Sequence, residues 1–131
     1  MKTNPAKFRK LIAAAKAVQR NAHAPYSKFR VGAALLTKSG KVYTGVNVEN
    51  ASYGLTNCAE RVAVGKAVSE GHRRFAAIAV VAPSASLSPC GACRQVLAEF
   101  GECVVICVDS RRTSRVRVHL LSELLPHAFK L

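Results

Sequence analysis

The stretch Cys103-Val104-Val105-Ile106-Cys107-Val108-Asp109-Ser110-Arg111-Arg112-Thr113-Ser114-Arg115-Val116-Arg117-Val118 holds two β-rich runs, 103–108 and 115–118, with only 109–114 between them. Parallel neighbours in a sheet need a crossover of roughly a dozen residues or more, and this connection is too short to supply one. The two runs are therefore expected to be antiparallel neighbours in a terminal hairpin. Upstream, Phe75–Ala82 is a short continuous apolar run, which reads as a buried strand. Residues 29–37 and 41–48 read as two further strands, joined through Lys38-Ser39-Gly40 in a first hairpin. Phe8, Leu11, Ile12, Ala15 and Val18 recur at helical spacing and mark a first helix that ends before Pro25. Further helices are expected over 57–71, over 91–100 and, briefly, over 120–125. Helices and strands alternating in this way give an α/β fold, a three-layer α/β/α arrangement around a five-stranded mixed sheet.

At 131 residues, half of them apolar and 21% charged, the chain is long enough to bury a core and too apolar for disorder, so 1–131 reads as a single domain. Its 20 Lys and Arg against 7 Asp and Glu leave a formal charge of +13. That balance favours polyanions, so nucleic acid and anionic membrane surfaces both enter as candidate partners. No run of about 18 apolar residues is present to span a bilayer. The apolar stretch 11–18 is interrupted by Lys16, which breaks any signal-peptide core. The expectation is a cytoplasmic protein with no membrane partner. Its five cysteines, an odd number, cannot all pair within the chain, and in that compartment closely spaced cysteines point to metal or catalysis.

Two motifs carry chemistry. Pro89-Cys90-Gly91-Ala92-Cys93 alone permits a zinc ribbon, a redox pair or two small buried residues. Cys58-Ala59-Glu60, also at an expected helix start, raises the count to three thiolates, one short of a closed structural zinc site. A fourth position is then left for water, whose pKa zinc lowers to about 7. Glu60, two residues from a ligand, is placed to carry the proton. Thiolates at helix N-termini are favoured by the unsatisfied N–H groups and the dipole. Arg61 and Arg94, beside these motifs, are expected to hydrogen-bond the sulfurs and offset their charge. Asn47 and Glu49, two apart on an expected strand, share a face where an amide and a carboxylate can hold hydroxyls.

Each residue also has a plainer reading. Asn57 and Glu60 have the spacing of a capping box, Asn47 and Glu49 suit a strand-ending turn, and Phe29 and Phe129 suit a core. Cys58, Cys90 and Cys93 can be small buried hydrophobes, and Arg61 and Arg94 solvated helix cations. Three ligand-spaced cysteines beside one glutamate favour the metal. Cys103 and Cys107, about 13 Å apart on one strand, are read as core without a disulfide. The four histidines follow no ligand spacing.

Cys-Ala-Glu followed by Pro-Cys-x-x-Cys is similar to the signature of the zinc nucleoside deaminases. Ala24-Pro25-Tyr26-Ser27-Lys28-Phe29, Val31-Gly32-Ala33-Ala34, Asn47-Val48-Glu49-Asn50-Ala51 and Pro89-Cys90-Gly91-Ala92-Cys93-Arg94-Gln95 extend the resemblance to the small homotetrameric cytidine deaminases. The resemblance covers most of the chain, from about residue 24 to residue 129. It implies one Zn²⁺ per subunit on Cys58, Cys90 and Cys93, and Glu60 as the catalytic proton shuttle. It further implies Asn47 and Glu49 on the sugar, the Ala59 N–H on the pyrimidine carbonyl and Phe29 against the base. Tyr53 and Phe129 would complete the pocket of a neighbouring subunit in a homotetramer. The implied activity is hydrolytic deamination of cytidine and 2′-deoxycytidine in pyrimidine salvage.

Three other functions compete. A deaminase of a nucleoside antibiotic such as blasticidin S shares both cysteine motifs, but the intact Asn47-Val48-Glu49-Asn50 favours the ordinary nucleoside. A polynucleotide cytosine deaminase suits the charge. A sugar grip closed around a free 3′ hydroxyl and the short terminal hairpin both argue against it. A basic zinc module without catalysis leaves Glu60 idle and the metal short of a ligand. Weak, salt-sensitive nucleic-acid binding from net charge is compatible with the leading function.

Overall fold

The computed structural model describes residues 5–131, so the first four residues of the basic N-terminal segment lie outside it. The first helix, α1 (Arg9–Gln19), follows a short 3-10 turn at Pro5–Phe8. Two antiparallel strands come next, β1 (Gly32–Thr37) and β2 (Val42–Val46). They lead into α2 (Ala59–Ser69) and then β3 (Phe75–Ala82). The remaining elements are α3 (Gly91–Ala98), β4 (Val104–Asp109), β5 (Val116–Leu120) and the one-turn α4 (Leu121–Leu124).

The sheet order is β2-β1-β3-β4-β5. β1 runs antiparallel to both β2 and β3, and β3 lies parallel to β4. The connection through α3 is long enough for that parallel crossover. β4 and β5 pair antiparallel, with Val104 opposite Leu120 and Val108 opposite Val116, so the terminal hairpin expected from loop length is present.

Strand alternation divides the core into two layers. Ala34, Ala77, Ala79, Val81, Ile106 and Val108 meet α1 through Phe8, Leu11 and Ala15. Ala33, Leu35, Ile78, Val80, Val105 and Cys107 face the other way, onto Ala59, Ala63, Val64, Leu97 and Leu121. One helix therefore covers one face and three cover the other, the α/β/α layering expected. Burying a side chain the size of Leu35, Ile78 or Ile106 contributes about 1.5–3 kcal/mol, and all three are fully buried.

Two glycines permit the close docking. A methyl on Gly32 would overlap the Ala15 carbonyl of α1 and lie 3.0 Å from the Gln19 Cα. A methyl on Gly45 would overlap the Ala59 carbonyl and stand 2.6 Å from the Ala63 nitrogen, pushing α2 off the sheet.

The first hairpin is shorter than expected. Residues 29–31 are not strand, because Asn47 satisfies their backbone instead: its Oδ1 accepts from Val31 N–H at 2.9 Å and its Nδ2 donates to the Phe29 carbonyl at 2.8 Å. Cys103 and Cys107 are buried, and burial pushes their thiols up to about 12 and about 11.

Candidate metal and catalytic site

Cys58 and Cys90 occupy the N-cap positions of α2 and α3, both in extended conformation and neither with its side chain used as a cap. Cys93 lies one turn into α3 and is fully buried. The three Sγ atoms fall within 4.8 Å of one another, with Cys58 to Cys90 at 3.9 Å and Cys90 to Cys93 at 3.5 Å. Zn–S bonds of about 2.3 Å in a tetrahedron require sulfurs about 3.8 Å apart. The trio fits zinc, and three sulfurs leave one tetrahedral position for a non-protein ligand.

The electrostatics agree. Arg61 Nη2 donates to Cys58 Sγ at 3.3 Å. Hydrogen bonding from Cys93, then from Arg61 and Cys90, pulls the Cys58 thiol down to about 5 against the opposing effect of burial. Cys93 moves the other way, because it donates to Cys58 and is desolvated. One negative charge thus settles first on Cys58, and a dication would remove the obstacle to ionising Cys93.

Glu60 is the second residue of α2 and is 5% exposed. Burial raises its carboxyl pKa, and the neighbouring Cys58 charge adds to the rise. The N-cap of the helix is Cys58, not Asn57, and Asn57 pairs its backbone with Val48, so Glu60 does not complete the capping box that its spacing suggested. Ala59, ahead of it, is wholly buried.

Asn47 and Glu49 were expected on the second strand, and that placement is corrected. Both lie beyond the end of β2, and both are already engaged by their own chain. Asn47 holds the 29–31 backbone, while Glu49 accepts the N–H groups of Tyr26 at 3.0 Å and Ser27 at 3.1 Å and the Ser27 hydroxyl. Chiefly through that hydroxyl, Ser27 holds the Glu49 carboxyl below its ordinary value. A hollow of about 350 Å³ opens here between Tyr26, Ser27, Glu49, Tyr53 and Thr56. Tyr26, Ser27 and Thr56 received no role from the sequence, although Tyr26 and Ser27 fall inside one of its motifs. Phe29 is 36% exposed and not core. Tyr53 and Phe129 are 75% and 71% exposed, and the Tyr53 ring stands edge-on to Tyr26 with centroids 6.0 Å apart.

Arg94 also departs from expectation. Its Nε donates to the Pro89 carbonyl at 2.7 Å, Nη1 to the Leu124 carbonyl at 2.6 Å and Nη2 to Ser88 Oγ at 2.6 Å. Three of its five N–H donors are engaged in this way, so Arg94 braces the segment before Cys90 against the C-terminal turn, while the hydrogen bond to a site sulfur comes from Arg61. Gln95 adds a second tie, from its Nε2 to the Phe129 carbonyl at 3.1 Å.

Three convergent thiols and a buried carboxyl at paired helix starts define a zinc-dependent hydrolytic centre. A family model described as the cytidine and deoxycytidylate deaminase zinc-binding region matches residues 5–108. A Dictyostelium discoideum protein described as a probable cytidine deaminase is 52% identical over 129 residues, spanning 96% of this chain and 86% of its own. A cytidine deaminase from Sporosarcina psychrophila is 50% identical over 121 residues, or 92% of this chain and 89% of its own. The crystal structure of a Burkholderia pseudomallei cytidine deaminase superposes with a TM-score of 0.84 at 52% identity, covering 92% of this chain and 98% of that one. The chain belongs to the cytidine and deoxycytidylate deaminase family.

Proposed function

We propose that the chain converts cytidine and 2′-deoxycytidine to uridine and 2′-deoxyuridine, consuming one water and releasing one ammonia, through a single domain spanning 1–131. The observation that carries this reading is Glu60, a buried carboxyl with a raised pKa beside three thiols spaced for zinc. Cys58, Cys90 and Cys93 would hold zinc, which when bound would lower the pKa of a water to about 7 and make it nucleophilic enough for C4 of the pyrimidine. Glu60 would carry the first proton of the attacking water to N3, and then the second, from the hydroxyl added at C4, to the amine, which leaves as ammonia. Ala59 is the first residue of α2, so its N–H has no partner inside the helix and suits the pyrimidine carbonyl. Phe29 offers an exposed face for the base. Asn47 and Glu49 keep spare lone pairs and an amide hydrogen for the sugar hydroxyls. Arg61 stabilises the Cys58 thiolate, and Arg94 positions the loop that delivers Cys90.

The same reading makes the assembly a homotetramer acting in cytoplasmic pyrimidine salvage, with Tyr53 and Phe129 completing a neighbour's pocket. It is supported by the exposure of Tyr26, Tyr53, Leu55 and Phe129, large apolar groups that a second subunit would cover. The test is metal analysis followed by loss of cytosine absorbance with cytidine, deoxycytidine, blasticidin S and a single-stranded oligonucleotide. Turnover of the two free nucleosides is expected. Zinc-replete protein that leaves both untouched, or that turns over only the antibiotic or the oligonucleotide, overturns the reading.

A further inference from the structure

We propose that the groove between the end of α1 and the 28–30 segment is a binding site for an oligophosphate anion, separate from the zinc centre. The groove has a volume of about 380 Å³ and is bordered by Lys16, Gln19, Arg20, Lys28, Arg30 and Ser110. A second hollow of similar size adjoins it, sharing Lys28 and Arg30 and adding His23. Neither described lining contains an acidic residue, and no ion pair among the described residues involves the four cations.

A chain with 20 Lys and Arg and a net charge of +13 exposes cations in many places, so convergence is what needs explaining. Lys16 and Arg20 are four apart at the C-terminal end of α1, where the helix carbonyls favour positive charge. That accounts for those two, although as an i,i+4 like-charged pair they repel each other. It does not account for Lys28 and Arg30, which a separate segment brings to the same groove. Lys28 stands at φ 60, a left-handed conformation that glycine or asparagine adopts with less strain. Four unpaired cations on two walls repel, and an anion between them relieves the repulsion.

The walls are fixed relative to one another. Gln19 Nε2 donates to the Arg30 carbonyl at 3.0 Å and to Ser110 Oγ at 3.2 Å, tying α1 to the 28–30 segment and to the turn after β4. Lys28 N–H donates to the Ala24 carbonyl at 3.0 Å, and Asn47 holds the backbone on either side of Arg30. The lining matches phosphate in kind. Arginine forks and lysine ammonium groups pair with phosphate oxygens, and the Ser110 hydroxyl, which accepts from Gln19, keeps its own hydrogen to donate. No aromatic side chain borders the groove to stack a base, which favours a phosphate chain over single-stranded nucleic acid. Several cations spaced along one groove suit a chain of phosphates better than a single one.

The test is calorimetric titration of the zinc-loaded full chain with inorganic tripolyphosphate and, separately, with ATP and with a single-stranded oligonucleotide, at about 0.15 M salt, where diffuse attraction is screened. Two independent groove variants are compared, Lys16→Ala/Arg20→Ala and Lys28→Asn, the second chosen because asparagine keeps the left-handed backbone. Arg73→Ala/Arg74→Ala is the control, removing the same charge as the first variant from another part of the surface. All keep the three site cysteines, so extraction of metal by the probe affects them alike. Saturable binding is expected, weakened about tenfold by the first groove variant and several-fold by the second, with the control changed by less than about twofold. Tighter binding of ATP assigns the site to a nucleotide phosphate chain, and equal binding to the inorganic one; either supports the proposal. No saturable binding, or a control weakened as much as the groove variants, overturns it. Preference for a single-stranded oligonucleotide over tripolyphosphate at equal phosphate, lost in the same variants, overturns it in favour of nucleic acid.

Discussion

Replacing Glu60 by Gln keeps the shape of a buried side chain and removes its capacity to carry a proton. Deaminase activity is expected to fall by about 10²–10⁴-fold with zinc content unchanged, since positioned acid–base groups contribute on that order. Paired metal analysis and turnover decide it, and activity retained within tenfold would reassign the proton carrier. The cysteines and Glu60 were legible in the sequence because local spacing alone puts them at two helix starts. Arg94 was not. Adjacency to Cys93 suggested the sulfurs, but consecutive helical residues point about 100° apart. Its fork meets the Pro89 and Leu124 carbonyls, acceptors far apart in sequence that only the fold brings together. Arg61, three residues after Cys58, lies on the face that reaches the thiolate.

Among the elements, α2 is the one whose seating decides the site, since Cys58, Ala59 and Glu60 all belong to its first turn. Gly45→Ala on β2 would wedge a methyl against the Ala59 carbonyl and the Ala63 nitrogen. Forced overpacking of this kind costs about 1–3 kcal/mol. Urea denaturation should show a lower midpoint with an unchanged slope, together with reduced activity; a midpoint equal to the parent's would mean that α2 can back away freely. The bounds of β3 coincide with its sequence reading because eight consecutive residues, Phe75–Ala82, are nearly all buried and are flanked by Arg73-Arg74 and Pro83. The start of the first hairpin was misread for the opposite reason. A side chain, Asn47, supplies the hydrogen bonds that a strand partner would have given, and periodicity carries no trace of such a substitution.

At the scale of the molecule, 20 basic side chains face only 7 acidic ones, so each carboxylate matters more than usual. Asp109, at the end of β4, accepts from the Arg111 backbone at 3.0 Å and pairs with Arg111 at 3.1 Å and Arg115 at 3.4 Å. Those partners, the Arg111 side chain foremost, hold its carboxyl below the ordinary value. A carboxyl whose folded pKa lies below its unfolded one stabilises fully above the unfolded value, near 4, and loses that contribution as pH falls through the folded value. Asp109→Asn should therefore melt below the parent at pH 7, with the gap closing toward pH 2–3. A gap independent of pH would show that the pair contributes through shape, not charge. Layering and the two hairpins followed from loop lengths and apolar runs, whereas the placement of β3 between β1 and β4 and the convergence of Lys16, Arg20, Lys28 and Arg30 did not, because both depend on how separate elements pack.

Cys58 and Cys90 are 32 positions apart, and all of α2 and β3 lies between them. An ion that joins their sulfurs closes this stretch into a ring only when both helix starts are in place, so it acts as a removable staple whose binding adds to the stability of the fold. Zinc scarcity would then reach this protein twice, silencing the reaction and loosening the clasp that keeps two helices of one face in register.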